Sequence, residues 1–207
     1  MRQRRWNKSN VAITHNSNEA AAIKQAIELL QIMSDVNNND VVVITPNWVN
    51  KRQPDSATVV GPESLRQIIR IFRDRNPRRI VVATGTADGE TKDVMDSVGF
   101  GKVISEEGVE FIDLNHGPFV RINLNHSIVP ATNLNKLFEE VTILVSFTQL
   151  KQHEEATMSA AIKNIALGWP PADEHGQPKK KLGIHTDLHG FITAMAGQIP
   201  IDLSIVS

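Results

Sequence analysis

Leu150–Gly168, LKQHEEATMSAAIKNIALG, is the stretch on which the fold turns. It comes just after Val141–Phe147, an apolar run of the kind needed by a strand buried on both faces. Lys151 and His153 stand at the end of that strand. The spacing then predicts a helix, with Met158, Ala161, Ile162 and Ile165 on one face and Gly168 as its C-cap. Lys163 and Asn164 fall near the end of that helix. Two cations, an imidazole and an amide therefore gather where a buried strand hands over to a helix. In open α/β sheets, ligands bind at such places.

Outward from this stretch the same pattern recurs. Val41–Thr45, Ile80–Thr84 and Ile201–Val206 are short apolar runs, and Val11–Thr14 and Glu110–Leu114 are shorter candidates. Helical patterns lie between them. One is capped by Ser17 or Asn18 and runs to about Met33, with Ala20, Ile23, Ile27 and Leu30 in its stripe. A second opens at Gly61-Pro62 and carries Leu65, Ile68, Ile69 and Phe72 to about Asp74. Others cover Thr91–Val98, closed by Gly99, then Lys102–Glu107 and Asn133–Glu140. Alternating strands and helices imply βαβ units. The expected fold is an α/β three-layer sandwich, a single domain over residues 1–207, with a mainly parallel sheet and helices on both faces. Two segments depart from the pattern. Residues 115–130 read as an excursion, a hairpin over Gly117–Val129 at the sheet edge, because Phe119–Leu124 alternates apolar and polar residues. Residues 169–182, WPPADEHGQPKKKL, read as a mobile loop or lid with few apolar residues to bury. Pro46–Val60 is a long loop, and loops of that length tend to be functional.

Composition narrows the function classes. The hydrophobic fraction of 41 % supports a real core, and the net charge of −1 provides no field to gather nucleic acid or an anionic membrane. The basic start MRQRR reads as a solvated tail rather than a nucleic-acid arm. No cysteine is present, so this chain can form no disulfide and no cysteine-ligated iron–sulfur cluster. No apolar run approaches the ~20 residues of a membrane span and no signal peptide precedes the first strand, so the expected location is cytoplasmic.

Parallel strands place their carboxyl ends on one edge. The loops beginning at Pro46, Thr84 and Leu150 would then share a crevice containing Asn47, the turn TGTADGE (84–90), Lys151 and His153. Lys151 and His153, two apart, point to the same side if extended. They suit anion binding and proton transfer, or else a solvated loop after a core strand. Lys163 can be explained by the negative end of its helix dipole. Asn164 shares a stripe with Thr157 and Ala161, and a half-buried amide there needs partners, from the protein or from a ligand. TGTADGE is an anion cradle or a plain strand-to-helix turn. His185 and His189 form H-x-x-x-H and would bind a metal if one helix carried both, with His153 or His175 as a third ligand. The alternative is that Thr186 or Asp187 caps a helix and His185 lies outside it. His116 and His126 read as surface residues.

The order of these motifs resembles that of the domain-of-unknown-function 362 (DUF362) family. Its apolar strand, LKTH, Thr and A-x-KN-x-x-G helix match Lys151, His153, Thr157, Lys163, Asn164 and Gly168. VVVITPNWV (Val41–Val49) resembles its strand and K-P-N motif, with Thr45 where the family has Lys. His185 and DLSIVS (Asp202–Ser207) resemble its late His and a strand ending in I-V-D-G. The family's following M-x-G-x-G-P segment has no counterpart here, and the ferredoxin-like module of some relatives is also missing. The resemblance implies an α/β fold and a site, and it names neither a cofactor nor a reaction. The function expected is binding of a small anionic ligand at the carboxyl edge of the sheet, with Lys/His acid–base chemistry. Lys151 and His153 would be catalytic, and Asn47, Thr157, Lys163 and Asn164 would bind the ligand. The alternative is a non-catalytic binding or partner module. Self-association beside Ile201–Val206 is expected if the absent segment completes the sheet edge in relatives.

Overall fold

The computed structural model describes residues 2–6, 9–48, 51–87 and 89–207. Val49 of the VVVITPNWV motif and Asp88 of TGTADGE lie outside them. The chain builds a five-stranded parallel sheet covered by helices on both faces, a three-layer α/β sandwich.

Its centre is β1 (Val41–Pro46), buried along its whole length. The preceding helix α1 (Glu19–Leu30) is capped by Asn18, whose side chain accepts from the Ala21 amide at 3.0 Å. After β1 come α2 (Pro62–Arg73), β2 (Arg79–Thr84), α3 (Thr91–Ser97), α4 (Phe100–Glu107) and β3 (Glu110–Asp113). A hairpin, β4 (Phe119–Asn123) and β5 (Ala131–Asn135), precedes β6 (Ile143–Thr148). A second, smaller hairpin follows, β7 (Lys151–His153) and β8 (Thr157–Ser159), and then α5 (Ala161–Gly168), α6 (Ala172–His175), α7 (Leu188–Gln198) and β9 (Leu203–Val206).

The strand order is β3-β2-β1-β6-β9, all parallel. Successive side chains of a strand point to opposite faces, and this divides the core. Val42, Ile44, Val82 and Val145 pack with α1 to α4, while Val41, Val43, Val81 and Leu144 pack with α5 and α7. Fully burying a side chain such as Phe72 or Phe191 contributes about 1.5–3 kcal/mol. The chain first winds from β1 out to β3, then returns to β1's other side with β6. Between β1 and β6 the winding reverses, and the loops that follow their carboxyl ends border a crevice.

Several expectations need correction. Val11–Thr14 joins no sheet, and Val11 and Ile13 are 84 % and 89 % exposed. The excursion is a separate two-stranded sheet, not an edge of the main one, and it claims Ala131–Asn135 as a strand. A helix over Asn133–Glu140 therefore gives way to a short 3₁₀ turn, Lys136–Glu139. The expected helix beginning near Met158 starts only at Ala161, because residues 151–159 fold back as a hairpin. Met158 and Ile162 are consequently 58 % and 52 % exposed. The segment 169–182 buries Trp169, Ala172, Leu182 and Lys179, and carries α6 and a 3₁₀ turn. The basic start is docked rather than solvated. Arg2 pairs with Asp202 at 2.7 Å and donates to Pro200 O, while Arg5 reaches Asp40 at 3.4 Å. At the outer strand β9, Leu203 and Ile205 are buried and Ser204 and Val206 exposed. Among the described residues, no helix is long and apolar enough to cross a membrane.

Candidate functional site

A cleft of about 580 Å³ opens at the carboxyl edge of the sheet, over the reversal point. Asn47 and Trp48 reach it from the end of β1, Lys151 and His153 from β7, and Lys163 and Asn164 from α5. The structure thus brings together Asn47, Lys151, His153, Lys163 and Asn164. Thr157 is left out. It closes the β7–β8 turn with a left-handed φ of 60°, and its side chain is exposed away from the cleft.

One hydrogen-bond chain ties Lys151, Asn47 and Asn164 across the β1–β6 seam. Lys151 Nζ donates to Asn47 Oδ1 at 2.8 Å and to Thr58 O. Asn47 Nδ2 donates to Asn164 Oδ1 at 3.4 Å. Asn164 Nδ2 donates to Thr45 O at 2.9 Å and to Ser146 Oγ at 3.1 Å. The partners that a buried amide at 164 needs are supplied by the protein itself. Thr45, the position where the resemblance implies Lys, has no exposure, and its Oγ1 accepts from Trp169 Nε1 at 3.3 Å. A cationic side chain there would have to displace Trp169.

His153 is held in one tautomer. The amides of Glu155 and Ala156 donate to its Nδ1 at 3.2 and 3.1 Å, so the ring hydrogen is on Nε2. Burial, followed by the charge of Lys163, lowers its pKa. Near neutral pH the ring is an uncharged donor through Nε2.

Lys163 occupies a different place on its helix from the one expected. Since α5 begins at Ala161, Lys163 stands in the first turn, at the positive end of the dipole. A cation there is disfavoured by roughly 0.3–1 kcal/mol, so helix electrostatics do not explain it. No side chain caps that N-terminus either. Burial lowers the Lys163 pKa to about 8, and the neighbouring Lys151 charge adds to the shift. Burial also lowers that of Lys151, with Arg52 contributing. A folded-state pKa below the unfolded one means that protonated Lys163 opposes folding below pH about 8, and that this cost fades as pH rises from about 8 toward 10.5. Lys163→Met should therefore raise the melting temperature at pH 7, and the gain should shrink at pH 10. Thermal scans at both pH values check this; a destabilised variant at pH 7 would contradict it.

Two features of the site were not singled out as site residues from the sequence, although Trp48 lies within the quoted VVVITPNWV motif. Lys179 lay inside a charged run, yet it is only 7 % exposed. Its Nζ donates to Leu167 O at 3.0 Å, Gly168 O at 3.3 Å and Gly85 O at 3.4 Å, bracing the cleft wall from behind. Burial lowers its pKa to about 7. Gly85 permits the close approach of Asn115, since a Cβ there would lie 2.6 Å from Asn115 Oδ1. Trp48 is the second feature. It packs edge-on to Phe100, and its buried indole N–H has no partner among the described residues.

Of the 84–90 turn, Thr84, Gly85, Thr86 and Ala87 line the cleft, as expected. Thr86 Oγ1 donates to Gly89 O at 2.8 Å, and Asn115 Nδ2 donates to Thr86 O at 2.9 Å. The remaining candidates fall outside this arrangement. His185 and His189 do not share a helix: Asp187 caps α7 between them, and His185 pairs with Glu155 at 2.9 Å. His175 hydrogen-bonds Thr132 instead of joining them. Among the described residues, no three His, Asp or Glu side chains are grouped to hold a metal. His116 is an exposed partner of Asp173, but His126 is buried against Phe191 and accepts from the Val129 amide.

Comparison with known proteins bears on the fold. A family model described as "Domain of unknown function (DUF362)" matches residues 42–207. No curated protein matches the chain. Among solved structures, the lactate racemase apoprotein from Thermoanaerobacterium thermosaccharolyticum is similar, with a TM-score of 0.52 at 17 % identity. The similarity covers 93 % of this chain and 54 % of that one, so the chain spans about half the length of its structural neighbour.

Proposed function

The chain belongs to the DUF362 family, and from that premise we propose that it binds a small anionic ligand in the cleft at the carboxyl edge of its sheet. One observation carries the reading: Lys151 and Lys163 face the same cleft, and neither is ion-paired among the described residues. Two like charges brought together at a desolvation cost are stabilised by an anion between them. Lys151 is aimed by Asn47, the His153 Nε2–H is a further donor, and the uncapped start of α5 adds the favourable end of a dipole. The structural neighbour is by title a lactate racemase apoprotein, and a small carboxylate would occupy only part of the cleft. Binding without turnover is the second reading. It is favoured by the closure of position 45 under Trp169, which removes a cation that the family pattern would place there.

Calorimetric titration with oxalate, lactate and phosphate tests the proposal. One saturable site is expected for at least one of these anions, with affinity falling as pH rises past about 8 and Lys163 loses its charge. The reading fails if none of the three binds at millimolar concentration, or if Lys163→Gln binds as tightly as the parent chain.

A further inference from the structure

We propose that Lys163 Nζ condenses with the carbonyl carbon of a small 2-oxo acid seated in the cleft, forming an imine. This rests on the anion reading above and gives it a substrate class. The geometry assigns different tasks to the two lysines. Lys151 Nζ is held by Asn47 Oδ1 and Thr58 O, and so is a fixed cation suited to a carboxylate. Lys163 Nζ has no hydrogen-bond partner among the described residues, lines the same cleft, and stands at the end of α5 where a cation is least welcome. An amine desolvated beside a second cationic group is the standard means of freeing a lysine lone pair near neutral pH. Its lowered pKa, about 8, agrees with that placement. His153 completes the set. With Nδ1 occupied by two backbone amides, the ring offers only Nε2–H, a neutral donor suited to polarising a carbonyl oxygen and unsuited to acting there as a base.

The step balances within the site. The nitrogen lone pair forms the C–N bond, the carbonyl π pair moves to the oxygen, and one proton passes from the nitrogen to that oxygen, giving a neutral carbinolamine. The restored nitrogen pair then forms C=N as the hydroxyl takes a second proton and leaves as water, and the nitrogen gives up its remaining N–H proton to match it. Both hydrogens of that water are replaced on the nitrogen side by the new double bond, so no oxidant or reductant is required.

Reductive trapping tests the inference. The full chain is incubated with pyruvate and sodium cyanoborohydride at pH 8, and the products are read by intact mass and peptide mapping. One carboxyethyl group per chain is expected on Lys163, formed at least ten-fold faster than on any surface lysine and suppressed by oxalate. Lys163→Met, the variant expected to be the more stable at pH 7, should lose the rapid phase. Oxalate binding with no preferential labelling of Lys163 would overturn the imine while leaving the anion site standing. Rapid Lys163 labelling that oxalate does not suppress would support the reactive amine and overturn the anion reading.

Discussion

Lys151→Ala should weaken oxalate binding by roughly ten- to a hundred-fold while the unfolding midpoint stays near that of the parent. The expected loss follows from one charge-assisted hydrogen bond, about 1.5–3 kcal/mol, and each 1.4 kcal/mol is about a factor of ten in Kd. The fold should survive because Lys151 is only half-buried, and the groups it leaves, Asn47 Oδ1 and Thr58 O, border the cleft where water replaces the ammonium. Lys151→Arg should recover only part of the affinity. A planar guanidinium keeps the charge but does not reproduce the short contact of Nζ with Asn47. Calorimetry paired with a denaturation curve separates the possibilities. Wild-type affinity in Lys151→Ala would remove Lys151 from the site, and an unfolded variant would make its bonds to Asn47 and Thr58 structural.

Asn164→Ala should destabilise the protein by about 2–4 kcal/mol, since each buried group left unpaired costs roughly 1–3 kcal/mol. Thr45 O, with no exposure, loses its donor from this side chain, and Ser146 Oγ loses another. Asn47 also loses its brace, so anion affinity should fall in step even though Asn164 is argued to act through Asn47. Asn164→Asp should not rescue. Its carboxylate would face the Thr45 carbonyl where Nδ2 now donates, a buried acceptor against an acceptor. Urea denaturation with an unchanged m-value is the measurement. A loss below about 1 kcal/mol would show that the amide network is not holding the seam.

The sheet was legible because parallel strands covered on both faces are continuous apolar runs, as in VVVITP and ILVSFT. The convergence of Asn47, Lys151, His153, Lys163 and Asn164 followed from that, since strand ends in a parallel sheet share an edge. Errors arose where local signals were weak. The β7–β8 hairpin has only three residues in each strand and turns through Thr157 at positive φ, without the Gly or Asn that announces such a turn. Missing it shifted the start of α5, which turned Lys163 from a helix-end cation into a first-turn one and gave Thr157 a helical neighbour it does not have. In Ala131–Asn135 the inward Thr132 and Leu134 pair with β4, a tertiary choice that overrides the helical reading of the following residues. Lys179 was hidden because a lysine caged by three carbonyls and one on the surface look the same within KKK.

The strand order also dictates when the cleft can exist. β1 meets β6 through pairs such as Val42 with Ile143, about a hundred residues apart in the chain, whereas β1 and β2 join through a local crossover. Closing so large a loop is entropically slow, and contacts of this separation form late in folding. Lys151, Asn47 and Asn164 are bonded across that seam. A nascent or partly opened chain can therefore hold β1, β2 and their helices and still have no binding site. Anything that occupies the cleft would grip only the fully zipped molecule, acting as a clasp on the longest-range strand pairing of the sheet.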